Sequence, residues 1–332
     1  MTAPVAHSYV PTGPTGGRAY LRMVQQATAD LVRWNLLPDY KYQDDFGEPR
    51  GRRVRHVTRI ASDLAALRDA PGIFVWDDLS LVHFTPQMLS RTIFILHHYE
   101  PLEQDFPEAE EALWQQLFAL IPQCAAVVCV APYWARFLQG RGVTGTTVIY
   151  NSFDLEEIHQ ARALDRDICR AEFGFGPEQL AVYGGRAGYR KGTETVARLL
   201  AGAPDLRLVT TGRQLVETAD SHHNLPRDAF LRLLRVCDVG VFMPVMHEGW
   251  SRCAAEALLM DMPCLLRPRA GLGDLAALTG QPAPALDRLL DQVRERAAAP
   301  AVERRRARTI LTRHSLDYFT QEWRALVRRL LT

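Results

Sequence analysis

An α/β fold of two parallel, doubly wound sheets is what this sequence predicts, on three observations. Short apolar runs alternate with helix-length segments, and the alternation pauses near residue 150 and then restarts. The length of 332 residues is too great for one ordinary domain but suits two of about 150 each.

In the first half, HSYV (7–10) reads as a short strand, and PTGPTGG (11–17) breaks it before an apolar-periodic segment at 20–37. Residues 38–53 are polar, with Pro and Gly, and read as a long loop. A strand is expected at 54–58, a helix at 62–69, apolar strands at 72–76 and 92–96, and a helix at 107–121. AAVVCV (125–130), a helix from Pro132 and TTVIY (146–150) complete this half.

The second half starts with LAVYGGRAGYRKGTETVARLL (180–200), followed by LRLVTTGR (206–213) and a helix at 228–236. Then CDVGVFMPVMHEGWSRCAAEALLMDMPCLLRPR (237–269) reads as a βαβ unit with strands at 239–243 and 264–266. The final helix repeats Phe319, Trp323, Leu326 and Leu330 at helical spacing, so one face packs and its arginines face water. The arginines of 292–308 read as a solvated helical surface.

Hydrophobic content of 47% and charged content of 23% are those of a globular protein. A net charge of +1 gives no bulk attraction to nucleic acid or membranes. Six cysteines without a C-x-x-C pair suit a reducing compartment, and no leader or apolar span is seen, so a cytoplasmic protein is expected. Arg50, Arg52, Arg53 and Arg55 near Trp34, Leu36 and Leu37 read as a solvated face, with peripheral contact to a lipid surface or an anionic acceptor as the alternative.

Three places carry candidate chemistry. In the βαβ unit, Glu248 ends a loop at a helix entrance and Glu256 lies eight residues on inside the helix, about 12 Å along its axis. Both carboxylates can therefore face one cleft, although a favourable helix dipole alone would also explain Glu248. In GGRAGYRKG (184–192), glycines admit close backbone approach, Arg186 and Lys191 supply positive charge, and a helix N-terminus supplies N–H groups, which outlines a diphosphate cradle. The alternative is a flexible basic turn.

In the first half, Gly16 and Gly17 open a strand-to-helix turn through which a backbone could approach an anion or sugar, with a plain surface turn as the alternative. His97, His98 and Glu100 follow an apolar strand, where parallel sheets bind ligands. Adjacent histidines on an extended segment point to opposite sides, and no H-x-x-x-H or H-E-x-x-H spacing occurs, so no metal site is expected here or at His222 and His223.

Four segments, in order, carry a resemblance: VIYNSFD (148–154), GGRAGYRKG, the strand at 238–244, and EGWSRCAAEALLMDMPC with its two glutamates eight apart. They are similar to the retaining glycosyltransferases of family 4, which have the GT-B fold of two Rossmann-like domains facing a cleft. The first half fits through His97 in a His-x-x-x-Pro pattern and through its Gly-rich first loop. The resemblance implies an acceptor-binding domain at 1–147, a nucleotide-sugar-binding domain at 148–312, and a C-terminal helix at 313–332 packing back towards the first domain.

It further implies that Arg186 and Lys191 hold the diphosphate of a nucleotide sugar, that Glu248 contacts the transferred sugar and that Glu256 holds the ribose hydroxyls. His97, with His98 as the alternative, would meet the sugar. Gly16, Gly17, Gly185, Gly249, Trp250 and Ser251 complete the implied donor site. The implied reaction moves a sugar, with retention, from a nucleotide diphosphate sugar to a small-molecule, saccharide or lipid-linked acceptor. Family habit points to a UDP-sugar as co-substrate, with no metal and no other cofactor.

The same fold also admits an epimerase or hydrolase of nucleotide sugars, or a degenerate subunit that binds nucleotide without turnover. The chain departs from the family pattern at Ser251, where glycine is usual, and at Ala131, Ser152 and Asp261.

Overall fold

A computed structural model of the chain describes residues 3–12, 15–40, 52–100, 108–214, 217 and 220–332. The chain divides into two units, Met1–Asn151 with Asp317–Thr332, and Ser152–Leu316.

The first unit holds six strands: β1 (Val5–Tyr9), β2 (Arg33–Leu37), β3 (Ile73–Trp76), β4 (Thr92–Leu96), β5 (Ala126–Cys129) and β6 (Thr147–Val148). All pair in parallel, in the order β2-β1-β3-β4-β5-β6. Central strands such as IFVW and TIFIL are apolar but for Thr92 because helices cover both faces, and every residue of both is buried. The order reverses direction between β1 and β3, the point at which such sheets bind ligands beyond their strand ends.

Two expectations need correction here. Residues 20–37 are not one periodic element: the helix Gly16–Ala27 is followed by β2, a half-exposed edge strand of sequence RWNLL. Residues 54–58 are not a strand but part of the helix Arg52–Ala66. Val54, Val57 and Thr58 are β-branched, which suggests a strand, but the buried Val57, Ile60 and Leu64 fall at helical spacing. Of the basic run, Arg50 and the Arg52 side chain lie outside the described residues, and Arg53 pairs with Glu110 at 2.7 Å. Most of the loop expected at 38–53 also lies outside them.

Within the same unit, the terminal residues form most of the helix Leu316–Leu331, which buries Phe319, Trp323, Leu326 and Val327. Phe319 and Trp323 pack on the buried Tyr20 ring with centroids 5.1 and 6.1 Å away. Tyr20 in turn donates to the carbonyl of Ile149 at 2.9 Å. Leu330, expected on the packed face, is only half-buried.

The second unit holds β7 (Leu180–Arg186), β8 (Leu206–Thr211), β9 (Ser221–His223), β10 (Val239–Phe242) and β11 (Cys264–Leu266). They form a second parallel sheet, ordered β11-β10-β7-β8-β9. Counted within the unit this is the doubly wound order 3-2-1-4-5, with its switch point between β7 and β10. Val182, Leu208, Val239, Val241 and Leu265 from the sheet pack with Val196, Leu200, Leu289 and Val293 from helices to make the core.

Sequence reasoning did not anticipate β9. It is three residues long, and its histidines pair locally, His222 Nδ1 lying 2.9 Å from Thr210 Oγ1. No helix among the described residues is long and apolar enough to cross a membrane.

Candidate functional site

The loops after β7 and β10, on either side of the second unit's switch point, carry most of the residues singled out in the sequence. At the end of β7, Gly185 has a φ of 78° and the pairing with β8 shifts register, which turns the chain out of the sheet. The loop then makes a short helical turn, Tyr189–Lys191, and enters the helix Thr193–Leu200 through Gly192.

Gly192 is required there on two counts. Its φ is 70°, and a Cβ would lie 1.9 Å from the carbonyl oxygen of Met243, just past β10. Thr193 Oγ1 closes the turn by donating to the Arg186 carbonyl at 2.9 Å, and Val245 N donates to the Arg190 carbonyl at 3.1 Å. The bond from Val245 stitches the two loops together, and a side-chain contact also joins them: Lys191 Nζ lies 2.6 Å from Glu248 Oε1. Glu248 is 7% exposed.

Arg186 sits differently. Its side chain lies along Gly212, where a Cβ would come within 3.3 Å of Arg186 Cγ. It makes no ion pair among the described residues, and its Nε is buried without a hydrogen-bond partner. An arginine so placed has capacity for an anion.

The loop after β10 is held from below. Gly271 N donates to the Glu248 carbonyl at 3.1 Å, and a Cβ on Gly271 would overlap the Gly249 carbonyl oxygen. Trp250 is buried, with its ring 5.1 Å from His314 and 6.3 Å from Phe153. Burial pushes the His314 imidazole down to about 4. Ser251 then adopts a φ of 43° at the N-cap of the helix Arg252–Leu259, without a capping bond from its side chain. The left-handed conformation that favours glycine is therefore present, with serine occupying it.

Glu256, 3% exposed, is engaged in a way the sequence did not suggest. Arg227 Nη1 lies 2.8 Å from Glu256 Oε1, and Arg252 Nε lies 3.3 Å from the same oxygen. Arg227 also pairs through Nε with Glu157 at 3.1 Å. The half-buried Cys253 thiol, raised to about 11 mainly by desolvation, feels Glu256, Lys191, Glu248 and Arg252, so these charges share one neighbourhood.

The first unit gathers a second polar group at the carboxyl ends of β3 and β4. His97 Nε2 lies 3.0 Å from Asp77 Oδ2. Arg18 Nη1 lies 3.2 Å from Asp77 Oδ1, Arg18 Nε lies 2.7 Å from Asp39 Oδ2, and Arg18 also donates to the Tyr9 hydroxyl. Burial raises the Asp77 carboxyl, and the bond from His97 opposes that shift. Thr15 caps the helix Gly16–Ala27, and Gly17 fits against the His97 ring, a Cβ there coming 3.3 Å from Cδ2. Gly16 has nothing within 4 Å of that position.

Asp77, Arg18 and Arg227 are the residues sequence reasoning missed. For Asp77 a partial signal existed: the first acid after the apolar run IFVW falls at a strand's carboxyl end, where parallel sheets bind ligands, although its pairing with His97 is set by which strands become neighbours. Among the described residues no group of three His, Cys, Asp or Glu side chains could hold a metal ion.

No protein-family model matches the chain, and no curated protein matches its sequence. Solved structures do match its fold over nearly the whole length. Sucrose-phosphate synthase from Thermosynechococcus elongatus aligns with a TM-score of 0.79 at 15% identity, covering 99% of each chain. HepE from Anabaena in complex with UDP-glucose aligns at 0.72 and 12% identity, covering 98% of this chain and 99% of that one. The E. coli trehalose-6-phosphate protein bound with UDP-2-fluoro glucose aligns at 0.68 and 13% identity, covering 97% and 98%. At such identity the likeness shows the fold, and that fold is GT-B.

Proposed function

We propose that this chain is a retaining glycosyltransferase that takes a sugar from a nucleotide diphosphate sugar. The observation that carries the reading is the Lys191–Glu248 contact at the switch point of the second sheet. A cation and a buried acid are held together at the place where doubly wound sheets bind nucleotides, beside a helix N-terminus opened by a left-handed glycine.

In this reading Arg186 and Lys191 bind the diphosphate. Breaking the bond between sugar and phosphate builds negative charge on the leaving oxygen, and cations fixed beside it stabilise the transition state more than the ground state. Glu248 accepts hydrogen bonds from hydroxyls of the transferred sugar and compensates the charge of Lys191 until the diphosphate arrives. Glu256 accepts from the ribose hydroxyls. The Arg18–Asp77–His97 network belongs to the sugar or its acceptor. Retention follows from attack on the face the diphosphate leaves, with a leaving phosphate oxygen taking the acceptor proton.

The similar structures named with UDP-glucose and UDP-2-fluoro glucose support UDP-glucose as the first donor to try. Incubation with UDP-glucose and a panel of sugars, phosphosugars and lipid-linked saccharides, read as release of UDP together with a new glycoside, tests the reading. Glu248→Ala and Lys191→Ala should each lower turnover by about 10²-fold or more while the chain stays folded. Undiminished turnover in both variants would sink it, and free or epimerised sugar without a glycoside would favour hydrolase or epimerase chemistry.

A further inference from the structure

The Glu157–Arg227–Glu256 chain has a geometry that a plain surface ion pair does not need. Its three members stand on three different helices, Leu155–Ala163, Arg227–Val236 and Arg252–Leu259. Arg227 uses separate nitrogens for its two acids, Nε for Glu157 and Nη1 for Glu256. It sits in the first turn of its helix, away from the helix's own carbonyl end, so its guanidinium position is set by the two carboxylates.

At the other end, both guanidiniums that reach Glu256 use one oxygen. Arg227 lies 2.8 Å and Arg252 3.3 Å from Oε1, and no bond is made to Oε2 among the described residues. A carboxylate has two oxygens and about four lone-pair positions. With Oε1 engaged, the acceptor left for a ligand is Oε2, in a fixed plane.

We infer that Arg227, steadied by Glu157, is a positioning residue that makes the second unit selective for ribonucleotides over deoxyribonucleotides by fixing the plane of the Glu256 carboxylate. This rests on the reading that Glu256 meets the nucleotide ribose. Arg227 touches no substrate. It sets which oxygen of Glu256 is offered and limits the side chain to one rotamer, so the entropy of ordering that acceptor is spent on folding instead of on binding. A mobile carboxylate could follow either sugar, whereas a fixed one rewards only a hydroxyl at the expected place.

The experiment measures dissociation constants of UDP, ADP and GDP and of their 2′-deoxy counterparts by calorimetry, for the wild type, Arg227→Ala, Arg227→Lys and Glu157→Gln. A hydrogen bond to a charged acceptor is worth about 1.5–3 kcal/mol, so the wild type should prefer the ribonucleotide by roughly 10- to 100-fold. In Arg227→Ala that ratio should fall to about 3-fold or less, mostly through weaker ribonucleotide binding, with the deoxynucleotide little changed. Arg227→Lys and Glu157→Gln should give intermediate ratios.

A general loss of fold or of site shape would weaken both nucleotides alike and leave the ratio unchanged. An unchanged ratio in folded Arg227→Ala, or in Glu157→Gln should the first variant not fold, overturns the inference while leaving the proposed function standing. Failure of the wild type to bind any of the three ribonucleotides overturns both.

Discussion

Lys191 and Glu248, 57 residues apart in sequence, meet at 2.6 Å because two loops that follow neighbouring strands are tied to each other through backbone bonds. The Glu248 side chain is 10% exposed and that of Lys191 32%. Removing Lys191 therefore leaves a carboxylate that water reaches poorly, whereas removing Glu248 leaves an ammonium that can turn outwards.

An asymmetric double-mutant cycle is expected. Lys191→Met should cost about 1–2 kcal/mol, Glu248→Gln about half of that, and the pair together less than the sum. Urea unfolding of the four forms measures it. Equal, additive losses would mean that the two side chains do not depend on each other.

Gly192→Ala should be among the most damaging single-methyl changes in the second unit. The new Cβ would lie 1.9 Å from the Met243 carbonyl oxygen, and the φ of 70° disfavours any side chain. Backbone on both sides must move, so a loss of roughly 2–4 kcal/mol is expected, accompanied by loss of nucleotide binding. Gly174→Ala is the control, because Gly174 shares a φ of 69° but has open space at its Cβ. It should cost only about 1 kcal/mol. Thermal unfolding of the two variants separates the clash from the dihedral.

How much of this could be read from sequence depends on how far apart the cause and the effect lie along the chain. β4, β7, β10 and β11 were legible because buried parallel strands are continuous apolar runs ended by Gly or polar residues. The edge strands β2 and β9 were not, since, unlike the fully buried and apolar edge strand β11, they are partly exposed and carry polar residues that erase the pattern. Glycines at 185 and 192 and the two glutamates stood out because their spacing is local. Pairings such as Asp77 with His97, 20 residues apart, and Arg227 with Glu256, 29 apart, depend on which strands and helices become neighbours, and residue type alone does not reveal that.

A pH dependence is expected from His314, which packs beside Trp250. Burial lowers its pKa from 6.5 to about 4, so the folded chain resists a proton that the unfolded chain accepts. Stability from this group is complete above pH 6.5 and is lost as pH falls towards 4, by at most about 3 kcal/mol. His314→Gln should flatten that part of the stability profile, whatever it does to stability at pH 8. Denaturant midpoints measured every half pH unit would show it, and an unaltered slope between pH 6.5 and 4 would refute it.

Ser251 offers the sharpest separation of stability from function. Its φ of 43° and ψ of 80° put a residue with a Cβ in the left-handed region, and its hydroxyl makes no capping bond that would compensate. The strain of a non-glycine residue there is about 1–2 kcal/mol, from which the greater unfolded-state freedom of glycine takes back roughly half. Ser251→Gly should thus stabilise by about 0.5–1 kcal/mol and raise the second unit's melting temperature by roughly 1–4 °C. Ser251→Val should do the opposite, because a β-branched side chain is still less tolerant of positive φ. If the serine is retained only as a tolerated substitute, Ser251→Gly will bind nucleotide as tightly as the wild type. If its hydroxyl serves the ligand, the variant will be more stable and bind less well, and calorimetry together with thermal unfolding of this one variant distinguishes the two.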